Sequence, residues 1–164
     1  MNFEIRNMQP EDGPRVLEIL QQGIDGRKST FETEVPTWES WEMKYIDSGR
    51  LVIENSENLI VGWAAMQSIS QRPCYNGVAE VSIYVDTDYQ GQGLGKLLLQ
   101  KSVLLSEEHG FWTLQAGIFP ENTFSTRLFQ SLGFRNVGKR EKIAKLDGQW
   151  KDIILMERRS TIIY

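Results

Sequence analysis

A single mixed α/β unit is the fold class this chain predicts, and three observations carry the prediction. Apolar runs of strand period and of helix period alternate along the 164 residues. No internal repeat, low-complexity run or linker-like stretch separates them. One strand, Val78 to Val85, runs directly through a glycine-rich loop into a leucine-rich helix. A chain of this length buries a sizeable core as one domain over residues 1–164, without a second unit.

The elements follow in order. Phe3-Glu4-Ile5-Arg6 alternates as an opening strand, and Gln9-Pro10-Glu11-Asp12 leads into a helix with Val16, Leu17, Ile19 and Leu20 as its apolar positions. After a polar stretch from Gly23 to Thr37, residues Trp38 to Ile46 form a second helix. Trp38 and Trp41 sit there at near-helical spacing, as core or dimer-contact aromatics. Leu51-Val52-Ile53 is a strand, Asn55 to Asn58 a turn and Leu59 to Gln67 the returning strand, which together make a hairpin. Val78 to Val85 alternates less cleanly because both faces of its sheet are partly covered. In the helix that follows, Leu94, Leu98 and Leu105 lie on one stripe, with Gly95 and Ser102 between them and Leu99 and Val103 widening it. Thr113 to Ile118 is a strand, and Thr123 to Leu132 a helix stopped by Gly133. Ile143 to Leu146 and Asp152 to Met156 are strands around an Asp147-Gly148 turn.

The loop Tyr89-Gln90-Gly91-Gln92-Gly93-Leu94-Gly95 is suited to holding a pyrophosphate. Glycines at 91, 93 and 95 remove side chains that would block close approach, so successive backbone N–H groups can point into one concavity where peptide dipoles attract anions. Two common phosphate motifs fail here. A nucleotide P-loop needs Gly, four residues, then Gly-Lys-Ser/Thr, but counting back from Gly95-Lys96 gives Gln90, and Leu97 replaces the magnesium-binding hydroxyl. A dinucleotide fingerprint from Gly91 reads Gly-x-Gly-x-x-Lys and lies mid-chain instead of opening a βαβ unit.

What fits is Gln90-Gly91-Gln92-Gly93-Leu94-Gly95, which resembles the acetyl-CoA loop (QxxGxG) of the GCN5-related N-acetyltransferase (GNAT) family. Downstream, Asn122-Thr123-Phe124-Ser125-Thr126-Arg127-Leu128-Phe129, followed by Gly133-Phe134, is similar to the family's second motif, Asn-x-x-Ala/Ser-x-x-Leu-Tyr then Gly-Phe. Arg72-Pro73-Cys74-Tyr75, Ala79 to Val85 and Asp147 to Asp152 resemble the phosphinothricin and methionine sulfoximine acetyltransferase branch. The resemblance implies one mixed, mostly antiparallel sheet with splayed central strands and helices on both faces. It also implies acetyl-CoA as cosubstrate and, as a family habit, a homodimer.

The chemistry needs a base. At pH 7 an amine of pKa near about 10 is mostly ammonium, so a carboxylate must take a proton before the nitrogen attacks a thioester. Glu80 is the best candidate: it shares one face of its strand with Ser82 and Tyr84, while Val81, Ile83 and Val85 share the other. The same carboxylate could instead be a solvated or salt-bridged structural group. The resemblance adds that backbone groups of Ile83 and Val85, with Tyr84 between them, hold the pantetheine, and that Gln90, Gly91, Gln92, Gly93, Leu94, Gly95 and Lys96 hold the pyrophosphate. An N–H of this region polarises the thioester carbonyl, a role worth roughly 3 kcal/mol per donor. Asn122 and Ser125 match cofactor-contacting positions, although Asn122 also reads as a helix N-cap. Phe129 departs from the family's tyrosine, the proposed proton donor to the leaving thiolate. Water, Tyr84 and Tyr75 are left for that task.

For the acceptor, the resemblance points to Arg72 and Tyr75, and to Phe31 and Glu32 in the segment after the first helix. A guanidinium suits a carboxylate or phosphinate because its planar fork binds two oxygens at once. The implied reaction is direct transfer of acetyl to the amino group of a small acceptor such as phosphinothricin, methionine sulfoximine or methionine sulfone. A peptide or protein amine acetyltransferase and a non-catalytic acyl-CoA-binding module are the competing readings.

Bulk properties agree with a small cytoplasmic enzyme. A net charge of −4 with scattered charges gives no general reason to bind nucleic acid or anionic membrane. One cysteine precludes an internal disulfide and a cysteine-rich zinc site, and no metal site is expected. The start Met1-Asn2-Phe3-Glu4 is no signal segment, and no stretch approaches a membrane span. Cys74 and His109 are not read as a nucleophile pair: His109 ends a helix, and Cys74 has no activating partner in sequence.

Overall fold

The computed structural model describes residues 2–164. Its centre is a seven-stranded sheet of strands β1 (Glu4–Asn7), β2 (Leu51–Glu54), β3 (Ile60–Ser68), β4 (Val78–Val85), β5 (Thr113–Ile118), β6 (Arg135–Leu146) and β7 (Gln149–Arg159), in the order β1-β2-β3-β4-β5-β7-β6. Every neighbouring pair is antiparallel except β4 and β5, which are parallel. Four α-helices cover the sheet: α1 (Gly13–Asp25), α2 (Trp38–Lys44), α3 (Leu94–Glu108) and α4 (Thr123–Ser131). The mixed, mostly antiparallel architecture expected from the sequence is the one observed.

The helices fall on the two faces according to their apolar stripes. Val16, Ile19, Leu20 and Ile24 of α1 and Trp41 of α2 pack with Val52, Trp63 and Ala65 on one face. Trp41 and Trp63 are fully buried with ring centroids 5.4 Å apart, and Trp38 stacks on Trp41 at 4.7 Å, so both tryptophans of α2 belong to the core layer. Truncating a buried aromatic of this kind costs about 3–5 kcal/mol. On the other face, Leu94 and Leu98 of α3 meet Leu51, Ile53, Val61 and Ala64. Leu99, Val103 and α4's Phe129 meet Ala79, Val81, Leu114, Ala116 and Ile118. Side-chain caps set two helix starts: the Thr37 hydroxyl accepts from the Ser40 N–H at 3.2 Å, and the Asn122 side chain accepts from the Ser125 N–H at 3.2 Å.

β4 leaves the sheet under tight control. Asp86, only 4 % exposed, accepts from the Arg15 guanidinium at 2.5 Å and from the Asp88 N–H at 2.8 Å, while the Gln22 side chain accepts from the Thr87 N–H at 2.9 Å. Arg15 also donates to the Ile60 carbonyl at 2.8 Å, so α1 ties the exit of β4 to the start of β3. Burial alone would push the Asp86 carboxyl upward; the hydrogen bonds from Asp88, Arg15 and Gln22 outweigh it and hold the carboxyl below its ordinary value. The stability this anchor contributes is present at neutral pH and is lost as pH falls through that depressed pKa.

Two elements extend beyond their sequence-based bounds. β6 starts at Arg135 instead of residue 143, and β7 spans Gln149–Arg159 instead of 152–156; the added part of β6, Arg135 to Lys142, is exposed throughout on an edge strand. A strand with neither face buried shows no apolar alternation to read. The feature that matters most for the site is the register of β4 against β5. They pair only at Val78–Glu80 with Thr113–Gln115, and beyond Glu80 the two strands part.

Candidate active site

The parting of β4 and β5 opens a cavity of about 440 Å³ through the middle of the sheet. Backbone alternation determines what borders it. The Asp86 N–H donates to the Val61 carbonyl at 2.9 Å, so along this antiparallel ladder the backbone groups of Glu80, Ser82 and Tyr84 face β3. Those of Val81, Ile83 and Val85 face the side from which β5 has diverged. The Gln90 side-chain amide comes back to the Val85 carbonyl at 3.4 Å.

Side chains sort onto the two faces by the same rule. Ala79 and Val81 join Ala116, Ile118 and Phe129 beneath α3 and α4. Glu80, Ser82 and Tyr84 face the other way, toward α1, α2 and the segment between them. The cavity is lined from both faces: Asn122, Ser125 and Phe129 reach it from α4, whereas Thr30, Phe31, Glu32, Tyr45, Gln67 and Glu80 reach it from the opposite side. It is a passage between faces, not a pit in one of them.

Glu80 is half-buried and lies beside Gln115, whose side-chain amide donates to Glu80 Oε1 at 3.3 Å. No lysine, arginine or histidine forms an ion pair with it among the described residues. The carboxylate is therefore not part of a structural salt bridge, and an incoming cation meets an uncompensated negative charge. Tyr45 and Tyr84 flank it. The Tyr45 hydroxyl lies 3.5 Å from Ser82 Oγ, and the Tyr84 ring stacks on Trp63 at 4.9 Å. Burial, reinforced by the neighbouring carboxylates Glu80 and Glu32, raises both phenols above their ordinary value, so both are neutral hydrogen-bonding groups at pH 7.

The glycine loop lies at the C-terminal end of β4, where α3 begins. Gly91 and Gly93 both have φ of +79°, a region that costs a side-chain-bearing residue about 1–2 kcal/mol. A Cβ at either position would meet nothing within 4 Å, so the loop presents open space. Gly93 is the N-cap of α3 and supplies no side-chain acceptor, which leaves the N–H groups at the head of a fifteen-residue helix uncapped. An uncapped helix start behind an open glycine cradle fits an anionic ligand such as a pyrophosphate. Lys96 stands exposed on the first turn.

The remaining sequence candidates divide. Phe31 packs edge-on against Phe119 with centroids 5.0 Å apart, and Glu32 pairs with Lys44 at 3.7 Å; both line the cavity. Arg72 and Tyr75 do not. They are exposed in the β3–β4 connection, with the guanidinium 5.6 Å from the tyrosine ring centroid. Phe129 fills the α4 side of the passage. Tyr75 lies outside it and the Tyr84 ring is on the opposite face, so neither tyrosine stands beside Phe129. Tyr45, Gln67, Ser82 and Gln115 escaped the sequence reading. Only Ser82 had a signal, its alternation with Glu80; the others arrive from different strands and helices. Cys74 is exposed, and His109 caps α3, its Nδ1 lying 2.8 Å from the Leu105 carbonyl. Among the described residues no cluster of three or more His, Cys, Asp or Glu is placed to hold a metal ion, and no helix is long and apolar enough to cross a membrane.

Comparison with known proteins adds to this geometry. Residues 16–134 match the family described as acetyltransferase (GNAT) family. The Bacillus subtilis protein YwnH is 33 % identical over 158 residues, covering 94 % of this chain and 97 % of YwnH. An L-methionine sulfoximine/L-methionine sulfone acetyltransferase of Pseudomonas aeruginosa is 26 % identical over 163 residues, covering 96 % of this chain and 94 % of that protein. Among solved structures, a GNAT superfamily phosphinothricin acetyltransferase from Sinorhizobium meliloti, in complex with acetyl-CoA, shares the fold with a TM-score of 0.88. It is 23 % identical, and the match covers 100 % of this chain and 96 % of that one.

Proposed function

The chain belongs to the acetyltransferase (GNAT) family, and from that premise we propose that it moves acetyl from acetyl-CoA directly to the amino group of a small amino-acid-like acceptor. Acceptors of the methionine sulfoximine, methionine sulfone or phosphinothricin type are the ones its relatives' names and its own motifs favour. The observation that supports this best is the passage itself, with a glycine cradle and α4 on one side of the sheet and an unpaired carboxylate on the other.

Acetyl-CoA, when bound, supplies an acetyl group activated as a thioester. The loop from Gln90 to Lys96, with Gln92 and Leu94 among its backbone donors, holds the pyrophosphate. Asn122 and Ser125, with the outward backbone groups of Ile83 and Val85, hold the pantetheine arm, and Tyr84 walls the passage between them. One of the N–H groups on the open edge of β4 polarises the thioester carbonyl. Glu80 accepts the proton of the acceptor's ammonium group, and the Gln115 amide holds that carboxylate in place. Neutral Tyr45 and Tyr84 orient the amine without competing as bases. Phe31 and Glu32 close the acceptor side from the α1–α2 segment. The proposal also covers one domain over residues 1–164 acting in the cytoplasm as a homodimer, in which Arg72 and Tyr75, exposed in one protomer, serve the neighbour's acceptor pocket.

Incubating the purified protein with acetyl-CoA and an acceptor panel, followed by mass spectrometry, tests this reading. The panel includes phosphinothricin, methionine sulfoximine, methionine sulfone and short peptides. A gain of about 42 Da, the net C2H2O added when an acetyl group replaces one hydrogen on nitrogen, is expected on a small amino acid. Acetylation confined to peptides would replace the small acceptor with a peptide amine. Silence across the panel with intact coenzyme A binding would point to a binding module.

A further inference from the structure

We propose that Arg140 is the oxyanion anchor of the acceptor pocket, an assignment that rests on the acetyltransferase reading above. The edge hairpin of β6 and β7 is irregular next to this residue. Arg140 pairs with Ile153 and Ala144 with Lys151, so Glu141, Lys142 and Ile143 together oppose the single residue Asp152. This is a β-bulge of the kind that re-aims side chains beside binding sites. It is clamped: Lys142 adopts φ of +48°, and its N–H donates to Asp152 Oδ1 at 2.7 Å. Arg140, Ile143, Ala144 and Ile153 all line the cavity. A regular strand would direct Arg140 and Ile143 to opposite faces.

The face on which Arg140 stands is the acceptor face. Ile153 packs where a Cβ on Gly117 would fall, at 3.2 Å, and Gly117 follows by two residues the Gln115 that bonds Glu80. Alternation therefore places Glu80, Gln115, Gly117, Ile153 and Arg140 on one side of the sheet, away from α4 and the glycine loop. The charges on that side leave a specific pair uncompensated. Glu32 and Lys44 neutralise one another at 3.7 Å. Glu80 has only an amide partner, and Arg140 forms no ion pair among the described residues. One free anion and one free cation facing the same cavity complement an acceptor that carries both an ammonium group and an oxyanion. The role that the sequence suggested for Arg72 thus has a second candidate, exposed but lining the cavity of a single chain. A guanidinium fork there takes the two oxygens of a carboxylate or a phosphinate.

Steady-state kinetics of the full chain, its Arg140→Gln variant and its Arg140→Lys variant test the assignment. The acceptors are methionine sulfone, methionine sulfone carboxamide and phosphinothricin. Arg140→Gln is expected to raise the KM for methionine sulfone by about tenfold or more, with kcat and the KM for acetyl-CoA unchanged and Arg140→Lys in between. The carboxamide, which lacks the anion, should show the same KM with wild type and variant. A loss confined to phosphinothricin would locate the anchored group at the phosphinate instead of the α-carboxylate. Unchanged KM for every anionic acceptor, with the wild type active, overturns the role of Arg140 and leaves the reaction standing. A wild type inactive on every acceptor overturns the reaction and this assignment with it.

Discussion

Replacing Glu80 by glutamine is expected to cut acetyl transfer by roughly 100- to 10,000-fold while leaving coenzyme A binding unchanged. The substitution is nearly isosteric and keeps the amide contact with Gln115, so the side chain stays in place. What it removes is the capacity to accept a proton. Among the described residues the half-buried carboxylate has no ion-pair partner, so its loss orphans no buried cation, and the melting temperature should stay within about a degree or two. Coenzyme A contacts are proposed to lie on the other face and at the open edge of β4, which is why affinity measured by calorimetry should match wild type. A variant that transfers acetyl at the wild-type rate would remove Glu80 from the chemistry.

Replacing Gly93 by alanine should raise the KM for acetyl-CoA at least about tenfold. The informative control is Gly110→Ala, at the far end of α3. Both glycines have strongly positive φ, +79° and +84°, and at neither would a Cβ meet anything within 4 Å. Each substitution carries the same backbone strain, about 1 kcal/mol, seen as a drop of roughly 2–4 °C in melting temperature. If the loop is a pyrophosphate cradle, only Gly93→Ala places a methyl group where the ligand must approach. Equal KM values for the two variants would make the loop an ordinary turn.

How far these features could be read from the chain depends on where each one's signal lies. β4, with Glu80, Ser82 and Tyr84 on one face, was legible because alternation is local and the strand is half-covered. α1 and β5 were legible for the same reason. The first half of β6 was not, since a doubly exposed edge strand carries no burial pattern, and with it the place of Arg140 beside the bulge was hidden. The turn at Gly91 and Gly93 was legible because positive φ leaves a compositional mark. The parting of β4 from β5 has no such mark: it is a matter of pairing between residues more than thirty positions apart. Tyr45 and Gln115 approach Glu80 only through that long-range arrangement, so no spacing could have joined them to it. Arg72 and Tyr75 entered through resemblance alone, and their exposed place in the β3–β4 connection shows that a motif match does not fix which cavity a side chain serves.

Donor and acceptor are proposed to occupy opposite faces of the sheet at the same time and to meet in the gap between β4 and β5. The decisive measurement is of initial velocities with acetyl-CoA and an acetylated acceptor's parent amine both varied. A ternary complex gives intersecting double-reciprocal lines, the pattern expected here. Parallel lines would mean that the acetyl group passes through a covalent enzyme intermediate and would contradict direct transfer across the gap.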